Sequence, residues 1–96
     1  MVAATALCSV AWAQFDAQLA VDKGCVNCHG QPPRKNAPTF DALARRYAGA
    51  RGDAQALRKL ADKLRDGSIF GHVDAHEKLS ETDALRLVGW ISEGAK

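Results

Sequence analysis

Apolar positions recur at helical spacing in several stretches of the chain, and nothing alternates in the manner of a strand. Phe40, Leu43, Ala44 and Tyr47 fall at i, i+3, i+4 and i+7 behind Thr39, a good N-cap, and Gly49 closes that helix. A longer stripe of Leu57, Leu60, Ala61 and Leu64 starts from the cap Asp53 and stops at Gly67. A last helix opens on Ser80-Glu81-Thr82-Asp83, a capping box with Asp where Glu is usual, flanked by Leu79 and Ala84 as a hydrophobic staple. Leu85, Val88 and Ile91 share its inner face, Trp90 stands beside them, and Gly94 ends it. Ahead of these, Phe15, Leu19 and Ala20 predict a first helix of about two turns, from near Asp16 to Gly24. Two segments carry no period and read as loops: Gly30 to Pro38, with three prolines, and Ser68 to Leu79. The expected fold is all-α, with about four helices.

At 96 residues the chain has room for one domain. Its 47% hydrophobic and 25% charged residues are those of a folded globular protein, and a net charge of +2 is too small to imply nucleic-acid binding or a polybasic membrane patch. The first 13 residues are uncharged, apolar and end in Ala11-Trp12-Ala13, a small-x-small pattern that a signal peptidase accepts. Residues 1–13 therefore read as a secretory leader, and 14–96 as the mature domain. Only Met1 precedes the apolar run, so the basic start of such a leader is missing, which leaves open whether Met1 is the true start. The run is also short of the roughly 20 residues a membrane span needs. Cys8 departs with the leader, leaving Cys25 and Cys28. So small a domain without a disulfide framework is expected to complete its core with a cofactor or metal.

The two cysteines stand in Gly24-Cys25-Val26-Asn27-Cys28-His29. C-x-x-C-H is the spacing of covalent c-type haem attachment. Each thiol forms a thioether to one porphyrin vinyl group, and the adjoining His29 is held under the iron as proximal ligand. Attachment needs reduced thiols outside the cytoplasm, in agreement with export. Three other readings compete. A redox-active dithiol would follow a strand in a βαβ unit, which is absent here. Zinc held by Cys25, Cys28, His72 and His76 has suitable short spacings but far too long an intervening stretch for a finger. A simple short disulfide is the third.

From here the residues resemble a family, the small bacterial class I monohaem cytochromes c, over nearly all of the mature chain. The resemblance implies a helix leading into the haem motif, a proline-bearing loop, two middle helices, a ligand loop and a C-terminal helix crossing the first. It implies that the Pro38 carbonyl accepts a hydrogen bond from His29, that Trp90 is the aromatic of the last helix crossed near Phe15, and that Phe70 replaces a common Trp. It further implies one haem c bound through Cys25 and Cys28, and single-electron transfer with redox partner proteins rather than catalysis. The chain would be a periplasmic carrier, or the haem subunit of an oxidoreductase, acting as a monomer or in transient complexes.

One departure is central. Family members supply a loop methionine as sixth iron ligand, but the only methionine here is Met1. The usual position falls near Asp74 or Ala75, neither a normal ligand of this kind. His76 is the favoured replacement and His72 the alternative. If neither serves, a five-coordinate or weakly ligated haem would bind a small gaseous ligand. Charge is uneven as well: Arg34 to Asp66 holds nine basic and four acidic residues, a basic middle that would face an acidic donor or acceptor.

Overall fold

The computed structural model describes residues 16–68 and 71–96. The leader assigned to residues 1–13, together with Phe15 and Phe70, lies outside them. All regular structure among the described residues is helical. Helix α1 is described over 16–22. It is followed by α2 (Val26–His29), α3 (Phe40–Tyr47), a 3-10 turn (Ala48–Ala50), α4 (Ala54–Arg65), α5 (Asp74–Glu77) and α6 (Glu81–Ser92).

The caps form where the sequence places them. Thr39 Oγ1 accepts from Ala42 N at 3.1 Å, Asp53 Oδ1 from Ala56 N at 3.1 Å, and Ser80 Oγ from Asp83 N at 3.0 Å. Each satisfies a backbone donor that an α-helix leaves without a partner at its start. Thr39→Ala and Ser80→Ala should therefore each cost about 1 kcal/mol, read as a fall of roughly 4–8 °C in melting temperature.

Helix α6 is the centre of the core. Ala84, Leu87, Val88, Trp90 and Ile91 are buried on it, and α3 and α4 pack against it with Leu43 and Ala61. Leu79 and Ala84, the expected staple, join the same cluster. The first helix is tied to α6 by charge as well as by Ala20. Arg86 donates to Asp16 Oδ1 through Nε at 3.0 Å and Nη2 at 2.7 Å, and Lys23 lies 3.5 Å from Asp83. Asp83 thus pairs with Lys23, which fastens the chain just ahead of Cys25 to the start of α6.

Three expectations are corrected. The stretch Ser68 to Leu79 is not all loop, because Glu77 N and Lys78 N bond to Val73 O and Asp74 O and close the single turn α5. Four residues are too few to show a period. The second helix ends at Tyr47, and Gly49 lies inside the 3-10 turn that continues it. The third ends at Arg65, two residues before Gly67. Gly67 has a different use: its carbonyl accepts from His72 N at 2.7 Å and ties the end of the α4 connection to the segment that carries the two histidines.

Candidate haem site

Helix α1 runs into a tight turn at Gly24, whose φ of +78° suits glycine, and α2 then carries the motif. Cys25 N bonds to Ala20 O at 3.0 Å, so the thiol pair is anchored to the buried end of α1. Both cysteines are free thiols and partly exposed. Burial pushes the Cys25 thiol above its ordinary value, opposite to the shift that activates a redox-active cysteine. The dithiol reading loses support on this ground.

His29 Nδ1 lies 2.6 Å from Pro38 O. A carbonyl oxygen can only accept, so Nδ1 carries the proton and donates. Nε2 is left with its lone pair, the form in which an imidazole binds a metal. The chain that brings Pro38 there is folded by Arg34 N to Cys28 O at 2.8 Å and Ala37 N to Arg34 O at 2.9 Å. Phe40, next on α3, packs on the His29 ring at 5.6 Å between centroids, and Trp90 meets Phe40 edge-on at 5.2 Å. A line of rings therefore links His29 to the central helix.

The second face of the site is supplied by α5. His76 is half buried and its ring lies 6.2 Å from that of His29, with the two planes within 10° of parallel. Burial, and then the nearby His29, hold its pKa below the ordinary histidine value, which keeps the ring neutral. His72 is placed differently. Its backbone is left-handed at φ 64°, its side chain is 77% exposed, and Nδ1 lies 3.6 Å from the Glu77 carboxylate. The four residues of the zinc reading are thus not gathered, and no cluster of three or more His, Cys, Asp or Glu suited to a metal occurs among the described residues.

These residues fit a haem. Two imidazoles bonded at about 2 Å on opposite sides of one metal would have ring centres roughly 6 Å apart, the separation seen here. Leu57, Leu60 and Leu64 on α4, with Phe40, Tyr47 and Leu85, are only partly buried against the core, and together offer apolar surface for a porphyrin. The sequence missed several contacts that shape this region. Arg65 Nε donates to Leu79 O at 3.0 Å and ties the end of α4 to the segment carrying His76, and Arg58 pairs with Glu81 at 2.7 Å. Such pairs join residues far apart in the chain and leave no local pattern to read.

Comparison with known proteins agrees. The chain is 31% identical to cytochrome c-552 of Hydrogenobacter thermophilus, over 95% of its own length and 91% of the relative's. It is 33% identical to cytochrome c-552 of Nitrosomonas europaea, over 93% and 87% of the two lengths. It is 30% identical to cytochrome c-551 of Pseudomonas aeruginosa, over 91% and 84%. No family model matches the chain, and no solved structure matches it significantly. Relatives of this likeness along most of their length, on an all-helical fold that presents C-x-x-C-H, place the chain in a family: it belongs to the small class I c-type cytochromes, electron carriers that hold one haem c through two cysteines.

Proposed function

We propose that this cytochrome is an exported, bis-histidine electron carrier, with Cys25 and Cys28 as the attachment residues and His29 and His76 as the axial ligands. The observation that carries the ligation is the near-parallel pair of rings 6.2 Å apart. His72, turned to solvent beside Glu77, has no such relation to His29. Bound haem supplies a one-electron iron couple, and the protein sets its potential. Pro38 holds His29 in the tautomer that offers Nε2, and its hydrogen bond makes that nitrogen a stronger donor. Histidine in place of methionine as second ligand lowers the potential relative to His/Met cytochromes, so the carrier would work at the reducing end of its family's range.

Export is supported by the leader pattern over residues 1–13 and by the need for reduced thiols in haem attachment. No helix among the described residues is long and apolar enough to cross a membrane. A carrier of this kind meets its partners as a monomer, in brief complexes.

The test is an optical spectrum of the haem-loaded protein, oxidised and reduced, with and without CO. Low-spin bands in both states and no response to CO are expected. A high-spin spectrum that shifts with CO would replace the carrier by the gas-binding reading.

A further inference from the structure

We propose that Arg65 is the positioning residue of the sixth iron position: its hydrogen bond to the Leu79 carbonyl latches the segment that carries His76, and releasing it lets an external ligand reach the iron. The inference rests on the bis-histidine reading and deepens it by naming what keeps the second histidine in place.

Helix α5 cannot hold His76 alone. It is one turn of four residues, far below the length at which a helix is stable in water. Val73 ahead of it supplies no side-chain cap and is 36% exposed, so burial does not anchor the start of the turn. The bonds from His76 N and Glu77 N to Val73 O, at 3.0 and 3.1 Å, and from Lys78 N to Asp74 O, at 3.0 Å, tie the segment to itself and not to the rest of the protein. The fixed end is the other one. Leu79 is 5% exposed within the core cluster that holds Ala61 and Ala84, and its N–H donates to the carbonyl of His76 at 3.3 Å. The position of His76 is therefore set at Leu79.

Arg65 secures that residue from α4, which lies against α5. Its Nε donates to Leu79 O at 3.0 Å, and among the described residues no backbone N–H reaches the same carbonyl. The guanidinium is committed there: Arg65 forms no ion pair among the described residues, and the neighbouring Asp66 carboxylate accepts from Ser68 N and Oγ at 2.9 and 2.7 Å. Arg58 provides a built-in comparison. It stands two turns earlier on the same face of α4 and pairs with Glu81 at 2.7 Å, so it grips the start of α6 as Arg65 grips the end of the His76 segment. The two cations flank the joint between Leu79 and Ser80, and Arg65 is the one on its ligand side. A hydrogen bond from a charged donor shifts an equilibrium by about 10-fold or more. An external ligand binds only the fraction of molecules whose iron position is open, so its apparent affinity scales with that fraction.

In the experiment, ferric haem-loaded protein is mixed with cyanide, and the uptake rate and apparent dissociation constant are read optically for the native chain, Arg65→Ala, Arg65→Lys, Arg58→Ala and His76→Ala. Reduced, isotopically labelled protein is followed in parallel by amide hydrogen exchange. Arg65→Ala should take up cyanide about 10-fold faster and bind it about 10-fold more tightly than the native chain, and its Glu77, Lys78 and Leu79 amides should exchange about 10-fold faster. Arg65→Lys keeps a charged donor and should recover most of the difference, while Arg58→Ala, which breaks an exposed ion pair, should stay within about twofold of native. With His76 already replaced by Ala, adding Arg65→Ala should change neither cyanide reading, because no ligand remains to be released. Native behaviour of Arg65→Ala, equal effects of Arg65→Ala and Arg58→Ala, or a full effect of Arg65→Ala in the His76→Ala background would overturn the proposal. A native chain that takes up cyanide as fast as His76→Ala would overturn the ligation reading and the proposal with it. A slow native chain beside a fast His76→Ala keeps the ligation reading, and the Arg65 variants then decide the latch alone.

Discussion

His76→Ala is expected to convert low-spin, CO-inert iron into high-spin iron that binds CO in the reduced state, while His72→Ala leaves the spectrum as it was. The asymmetry follows from placement. His76 is turned inward on α5 and faces His29 across 6.2 Å, whereas His72 sits in solvent beside Glu77. On the proposed ligation, removing the first opens a coordination position; removing the second costs one exposed contact with the Glu77 carboxylate, worth little. A conservative variant sharpens the test. His76→Met returns the thioether that the family uses, from a residue flexible enough to reach the metal. It should keep the iron low-spin and raise the potential by on the order of 100 mV, a fraction of the roughly 0.8 V range that axial ligands command. If His76→Ala stays low-spin and indifferent to CO, His76 is not the ligand. If His72→Ala alone opens the site, the two histidines exchange roles.

The reason His76 could be singled out, but not fixed, from the sequence is physical. The attachment motif is local: thiols three positions apart with an adjoining imidazole are a covalent requirement written into consecutive residues. The caps at Thr39, Asp53 and Ser80 are equally local, since a side chain satisfies a donor two or three positions on. The Pro38 contact spans nine residues, too far for spacing to show, and was legible only through resemblance to the family. The choice between His76 and His72 depends on which way a short segment is turned. The turn of that segment follows from the single helical turn at Asp74–Glu77 and from Arg65 reaching Leu79 O. Neither leaves a period in the sequence. The pair Arg86–Asp16 is of the same kind, seventy positions apart and visible only once the fold brings α1 to α6.

Loss of both thioethers should cost the fold as well as the chemistry. Among the described residues only Leu87 and Val88 of the large side chains are fully buried, and much of the remaining core is alanine. Leu57, Leu60, Leu64, Phe40, Tyr47 and Leu85 pack against that core but are only partly buried. Complete burial of a large apolar side chain contributes about 1.5–3 kcal/mol, so finishing the burial of six half-covered ones amounts to on the order of 5 kcal/mol. That is comparable with the whole stability of a small domain, about 5–15 kcal/mol. Cys25→Ser/Cys28→Ser, isolated without haem, is therefore expected to lose most of its far-ultraviolet helical signal and to melt without a cooperative transition. Cys28→Ser alone retains one thioether beside the His29 ligand, and should stay low-spin with a lowered melting temperature. Circular dichroism and thermal melts of the two variants against the haem-loaded protein give the answer. A haem-free double variant that kept native helicity and a sharp transition would show that the apolar surface of α4 is covered by the polypeptide itself, and that the cofactor is a passenger on a fold complete without it.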